Sequence, residues 1–146
     1  MTHTIRPLTH ADRQQWDQLW QGYLTFYESA VPADVTDLTW QRILDPEAPI
    51  HAFCAAQPDG KLLGIVHYLF HPVTWAAGPR CYLEDLFTSP DARGKGVGRA
   101  LIEAVYAAAD QRGADQVYWL TQEFNATARK LYDQVAKATP FIKYRR

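Results

Sequence analysis

Three features of this 146-residue chain predict a mixed α/β fold with the element order βααβββαβαβ. An apolar segment, Tyr82 to Thr88, runs through Ser89-Pro90-Asp91 into a loop of alternating glycines, and an amphipathic helical pattern follows at once. Two apolar runs flank Pro58-Asp59-Gly60, which is the pattern of a hairpin. Between Trp16 and Tyr27, apolar and aromatic residues recur at helical spacing and define one buried stripe.

In chain order, His3 to Leu8 alternates like an edge strand. Thr9 followed by Asp12 has the form of a capping box, so a helix is expected to start there and to run to about Glu28. Its stripe is Trp16, Leu19, Trp20, Tyr23, Leu24 and Tyr27. Pro32 interrupts, and a second helix spans Thr36 to Leu44, ending before Pro46. Ile50 to Gln57 and Lys61 to Phe70 are the hairpin strands. His71 to Pro79 is a loop carrying Trp75, and Arg80 to Thr88 is the next strand. The helix after the glycine loop reaches about Arg112 and ends at Gly113. Gln116 to Thr121 is predicted as a strand, Ala126 to Ala136 as a helix and Phe141 to Arg145 as a last strand.

A chain of this length, 47% hydrophobic and 21% charged, fits one ordinary globular domain over residues 1–146. A net charge of −1 argues against general binding to nucleic acid or anionic membranes. The uncharged stretch Leu62 to Pro79 is long enough to raise the question of a membrane span, but its histidines, Pro72 and Gly78 mark a buried strand and loop. The segment from Met1 to Arg6 lacks the apolar core of a signal peptide, so a cytoplasmic location is expected. Cys54 and Cys81 have no paired spacing and are expected as reduced thiols packed in strands. The five histidines show no metal-ligand spacing, and no metal site is expected.

The run Arg93-Gly94-Lys95-Gly96-Val97-Gly98 lies at a helix entrance. Glycines there let main-chain N–H groups approach a ligand, and the unpaired donors of the first turn and the helix dipole favour phosphate oxygens. The spacing is not that of a P-loop, which needs Ser or Thr after its Gly-Lys, nor of the G-x-G-x-x-G dinucleotide fingerprint. It is R-x-x-G-x-G, with Arg93, Gly96 and Gly98. Strand, turn, motif and helix in this order resemble the acetyl-coenzyme A loop of the GNAT superfamily of N-acetyltransferases, and the element order matches that fold over essentially the whole chain.

A second segment extends the resemblance. From Trp119 the chain reads WLTQEFNATARKLYDQV, similar to the GNAT segment in which an Asn opens a helix and Ala-x-x-Leu-Tyr follows. The resemblance assigns Asn125 to the pantetheine arm and Tyr132 to proton donation at the departing thiolate. The two lie about two turns apart on one helix face, a geometry that suits one extended ligand. Asn125 also fits a helix N-cap, and Tyr132 also fits a core aromatic. The implied cofactor is acetyl-CoA, its contacts Leu86, Phe87, Thr88, Arg93, Gly94, Lys95, Gly96, Val97, Gly98, Arg99, Asn125 and Tyr132.

Transfer of an acetyl group from a thioester to an amine needs a neutral amine, a donor for the oxyanion and a proton for the thiolate. Glu84 and Asp85 interrupt an apolar strand, where alternation sends one to each face, and a carboxylate in such a place is costly unless solvated, paired or functional. Glu84 is assigned as the carboxylate that takes the amine's proton. Asp85 assists it or serves as a structural acceptor. The resemblance is nearest the spermidine/spermine acetyltransferase branch, in which Tyr27, Glu28, Trp75, Glu84 and Asp85 would wall a slot for a small basic amine; the same aromatics also suit a core or rim role. A protein or histone-like lysine acceptor and a non-catalytic acyl-CoA-binding module are the alternatives. A homodimer is the family habit. The family's Gly-Phe after Leu-Tyr is missing beyond Tyr132, which leaves the closure of the acceptor site open.

Overall fold

A computed structural model describes residues 2–146; Met1, which opens the segment read for an export signal, lies outside the described residues. The elements are β1 (Thr4–Arg6), α1 (Arg13–Phe26), α2 (Ala33–Leu44), β2 (Ile50–Ala56), β3 (Leu62–His71), β4 (Arg80–Thr88), α3 (Val97–Gln111), β5 (Val117–Tyr118) and α4 (Ala126–Val135). The strands form one sheet in the order β1-β2-β3-β4-β5, antiparallel except for the β4–β5 pair.

Local chemistry sets the helix boundaries. Asp12 accepts from the Thr9 N–H at 2.7 Å, which is half of the predicted capping box, and a short 3₁₀ turn (His10–Asp12) leads into α1. The Arg6 guanidinium grips both oxygens of the buried Asp12 at 2.8 and 3.1 Å, tying the end of β1 to the start of α1. Glu28 takes the left-handed conformation (φ 52°) and the Ser29 N–H returns to the Leu24 carbonyl at 2.8 Å, which closes α1. α2 begins earlier than the predicted Thr36 because the Pro32 carbonyl accepts from both the Val35 and Thr36 N–H groups at 3.0 Å.

Two apolar layers sandwich the sheet. On one face Trp16, Leu19, Trp20 and Leu24 of α1 and Trp40 of α2 pack on Cys54, Ile65 and Phe87; the Trp16 and Trp40 rings are 5.0 Å apart. On the other, Val97, Leu101, Ile102 and Val105 of α3 cover Leu63, Val66, Cys81 and Leu83, with Leu131, Tyr132 and Val135 of α4 at the margin. Each fully buried aliphatic side chain contributes about 1.5–3 kcal/mol. Cys54 and Cys81 are free and buried, one in each layer.

Two expectations are corrected. The last strand, Phe141 to Arg145, does not form: residues 137–146 carry no helix or strand, and Phe141, Ile142 and Tyr144 are 88%, 77% and 90% exposed. Alternation marks a segment able to form a strand, but a strand also needs an edge to pair with, and this tail meets none in its own chain. Strict alternation also fails at the carboxylates. His67 pairs with Asp85 and Tyr68 with Leu83, so Glu84 is an extra residue in a β-bulge. The bulge resets the register: Leu83 enters the α3 layer and Glu84 is the more exposed of the two carboxylates, only partly covered.

Candidate active site

The parallel strands β4 and β5 pair only at Cys81–Val117 and Tyr82–Tyr118, where the two tyrosine rings stack at 4.9 Å. β4 continues to Thr88 while the chain leaves β5 at once, so a gap opens along Leu83–Thr88. Main-chain groups on that side of β4 have no strand partner among the described residues. The side chains of Leu86 and Phe87 are packed into the two cores, which leaves their backbone as the part presented to a ligand.

At the end of β4, a 3₁₀ turn (Pro90–Ala92) leads into the glycine loop. Gly94 and Gly96 adopt φ of 78° and 79°, a conformation other residues resist, and Gly96 is the N-cap of α3. Ala100 is the first residue of α3 whose N–H returns to a carbonyl one turn back, at Gly96, so the donors before it point outward. A Cβ at Gly98 would lie 3.2 Å from Leu131 Cδ2, so the Leu131 side chain of α4 sits close against this position. Val97 is anchored in the core and can offer only its backbone. The Arg93 guanidinium lies 5.7 Å from the centre of the Phe87 ring, Lys95 donates to the Asp91 carbonyl at 3.0 Å, and Arg99 bonds Gln134. Lys61 pairs with Asp91 at 2.9 Å and braces the turn; hydrogen bonding from Ser89 and then from Lys61 lowers the Asp91 carboxyl to about 2.

α4 enters from the other side of the gap. Asn125 occupies the N-cap position, yet its side chain makes no cap and instead donates to Thr121 Oγ1 at 3.3 Å. Tyr132 packs edge-on against Trp119 at 5.4 Å. Burial, and secondarily the neighbouring Tyr27 phenol, push its pKa up to about 12, so it carries its proton throughout the neutral range.

The α1 face supplies the remaining wall. Tyr23 and Tyr27 approach the gap with rings 4.9 Å apart. Burial, followed by the Asp85 charge, raises the Tyr23 pKa strongly. The Tyr27 pKa is raised by burial and then by Asp85. Partial burial, then the adjacent Asp85, raises the Glu84 carboxyl above its ordinary value. Asp85 also accepts from His67 Nδ1 at 3.0 Å.

The structure thus brings Tyr27, Asp85 and Tyr132 together, with Glu84 beside Asp85 on the bulge. Glu28 is exposed beyond the end of α1. Trp75 is 88% exposed on the β3–β4 loop, with no ring contact or hydrogen bond to Tyr27, Glu84 or Asp85. Tyr23, Tyr82, His67 and Thr121 join the site without having been singled out from sequence. Tyr23 was visible as a member of the α1 stripe and His67 as a polar residue in an apolar strand, but neither signal names its partner.

Residues 15–136 match the Acetyltransferase (GNAT) family. This chain belongs to the GNAT family. It is 36% identical over 143 residues to the D-amino-acid N-acetyltransferase HPA3 of Saccharomyces cerevisiae, an alignment covering 97% of this chain and 89% of that one. It is 34% identical over 77 residues to the thialysine N-epsilon-acetyltransferase of Bos taurus, covering 52% of this chain and 45% of the relative. The solved structure of AAC(6')-Iy in complex with a bisubstrate analogue, CoA-S-monomethyl-acetylneamine, superposes with a TM-score of 0.85 at 21% identity, covering 100% of this chain and 98% of that one, and has the same GNAT fold.

As a GNAT member the protein is an acetyl-CoA-dependent N-acetyltransferase. Its residues fit that cofactor: outward N–H donors at Gly96 to Arg99, a close helix contact at Gly98 and an open β4 edge form a cradle that added side chains would fill.

Proposed function

We propose that the acceptor is a small, basic primary amine, polyamine-like or lysine-like, acetylated by direct attack in a ternary complex. The observation that carries this reading is the acidic and aromatic cluster at the β4 bulge, Asp85 with Tyr23 and Tyr27 near enough to feel its charge and Glu84 beside it near Tyr82. Carboxylates attract an ammonium, and tyrosine faces accommodate its alkyl chain.

Acetyl-CoA, when bound, supplies the thioester acetyl group. Arg93 to Arg99 would hold its phosphates, and the β4 backbone from Leu86 to Thr88 together with Asn125 would hold its pantetheine arm. Glu84, its proton affinity raised by partial burial, takes a proton from the incoming ammonium and yields the neutral amine. Asp85 stays beside it as the fixed negative charge. Tyr132 donates a proton or hydrogen bond to the sulfur as it leaves.

Amino-acid amines are the second reading, favoured by the similarity to a D-amino-acid N-acetyltransferase. Thiol release measured with spermidine, lysine, D-alanine and a lysine peptide separates these acceptors. The proposal predicts the highest kcat/KM for spermidine or lysine; a preference for D-alanine installs the second reading, and a protein that binds acetyl-CoA yet releases no thiol with any amine is a binding module only.

Two further parts of the proposal concern the setting. Free, buried Cys54 and Cys81 suit a reducing cytoplasm. The open edge of β5 and the exposed apolar tail support a homodimer in which each tail pairs with the partner's β5 edge.

A further inference from the structure

The most enclosed polar group of the molecule lies behind the reacting residues, outside the roles given above. His67, 2% exposed on β3, stands directly opposite Asp85 on β4, at the step where the bulge begins. Trp16 Nε1 is 3.0 Å from His67 Nε2, and His67 Nδ1 is 3.0 Å from Asp85 Oδ2. An indole nitrogen can only donate. His67 Nε2 must therefore accept, which puts the ring proton on Nδ1 and makes His67 a donor to the Asp85 carboxylate. The tautomer follows from the neighbours.

The ring is clamped on its other faces. Its centre is 6.0 Å from that of Trp16 and 5.3 Å from that of Trp20. Trp16 in turn packs on Trp40 of α2, and Arg13 lies over both indoles at 5.8 Å. A rigid chain of contacts thus runs from the helical layer through Trp16 and His67 to Asp85. Tyr23, from the same helix as Trp16, lies near enough to Asp85 for the Asp85 charge to raise its pKa. His67 holds one Asp85 oxygen, which restrains how the carboxylate turns about its side chain.

We propose that His67 is a positioning residue for the acceptor amine: in the tautomer imposed by Trp16, it aims the Asp85 carboxylate at the ammonium. This role rests on the functional reading given above. An imidazole suits the place because it accepts at one end and donates at the other across a rigid ring. Asparagine can supply only the donor near Nδ1, and leucine supplies neither.

The test uses His67→Leu and His67→Asn in the full chain, with spermidine and lysine as acceptors. His67→Leu is expected to raise the acceptor KM about tenfold while the KM for acetyl-CoA changes less than about twofold, and His67→Asn should recover most of the acceptor KM. A merely structural histidine would lower thermal stability without this selectivity and without rescue by Asn. ¹⁵N NMR of the wild-type imidazole should report the Nδ1-protonated tautomer, and Trp16→Phe should abolish that preference. The role is overturned if folded His67→Leu keeps its acceptor KM, if Asn does no better than Leu, or if the proton sits on Nε2. Where His67→Leu does not fold, His67→Asn and the tautomer measurement decide. Wild-type enzyme inactive with every amine would overturn the functional reading itself, and this role with it, an outcome distinct from a wild type that works and a variant that works equally well.

Discussion

Tyr27 and Tyr132 come from opposite faces of the sheet, and the phenol of one still raises the pKa of the other. Tyr27 ends α1 on one layer and Tyr132 belongs to α4 on the other, with the opening where β4 and β5 part between those layers. One gap thus lies between the two helical layers that carry these tyrosines.

Tyr132→Phe is expected to lower kcat by about 100-fold while the affinity for acetyl-CoA, measured by calorimetry, changes little. Equal turnover would remove Tyr132 from the chemistry. Because its folded-state pKa is raised to about 12, its contribution to folding stability is complete below the unfolded tyrosine value near 10. That contribution should fade as pH rises from there toward 12, and the Phe variant should lack this part of the alkaline loss.

Glu84→Gln tests the base. The wild-type kcat/KM should rise with pH through a value above the ordinary carboxylate pKa of 4.5, because Glu84 acts only when ionised and its proton is held by burial and by Asp85. The variant should lose that limb and about 100-fold in kcat/KM. A limb that survives unchanged assigns the base elsewhere.

Gly98→Val tests the close approach of α3 and α4. Its Cβ falls 3.2 Å from Leu131 Cδ2, and its γ-methyls add bulk that α4 must move to accept. The expected result is a tenfold or greater rise in the dissociation constant for acetyl-CoA with circular dichroism preserved. Unchanged affinity would show that the separation of the helices at this point does not matter to the cofactor.

Asp12→Asn addresses stability away from the site. Its hydrogen bond with Arg6 lowers the Asp12 pKa below the ordinary 3.8. The resulting stabilisation is full above the unfolded value and is lost as pH falls through the depressed folded value. Urea denaturation at neutral pH should show a loss of about 1–3 kcal/mol, the range for a charged hydrogen bond with a buried partner. The gap between wild type and variant should close in acid.

A chain ending at Ala138 tests the tail. Light scattering should give a dimer for the full chain and a monomer for the truncated one, each with the same helical content. A full chain that is monomeric, or a truncated one that stays dimeric, refutes pairing through the tail.

Features carried by neighbouring residues were legible in the sequence. The Asp12 cap, the α1 stripe, the Pro58 to Gly60 turn and the glycines at Gly94 and Gly96 each depend on backbone preferences or hydrogen bonds spanning a few residues. The loop and its cofactor belong to this class, since a helix entrance with glycines is a local device. The β-bulge at Glu84 was not legible: alternation assumes an unbroken ladder, and where it breaks depends on how β3 and β4 are both packed. The tail at Phe141 shows the converse, a segment with strand chemistry whose pairing partner is not in its own sequence neighbourhood.

By itself, the sequence determined most of the elements and the glycine-rich helix entrance at Arg93 to Gly98, because propensity, capping and loop geometry act over short range. Only the tertiary structure decided that Asp85 is held by His67 and faced by Tyr23, and that Tyr27 and Tyr132 share one opening. Those partners are 18 to 105 residues apart in the chain (Asp85 − His67 = 18; Tyr132 − Tyr27 = 105). Their meeting follows from how two helical layers settle on one twisted sheet, and packing at that range is set by the whole core together.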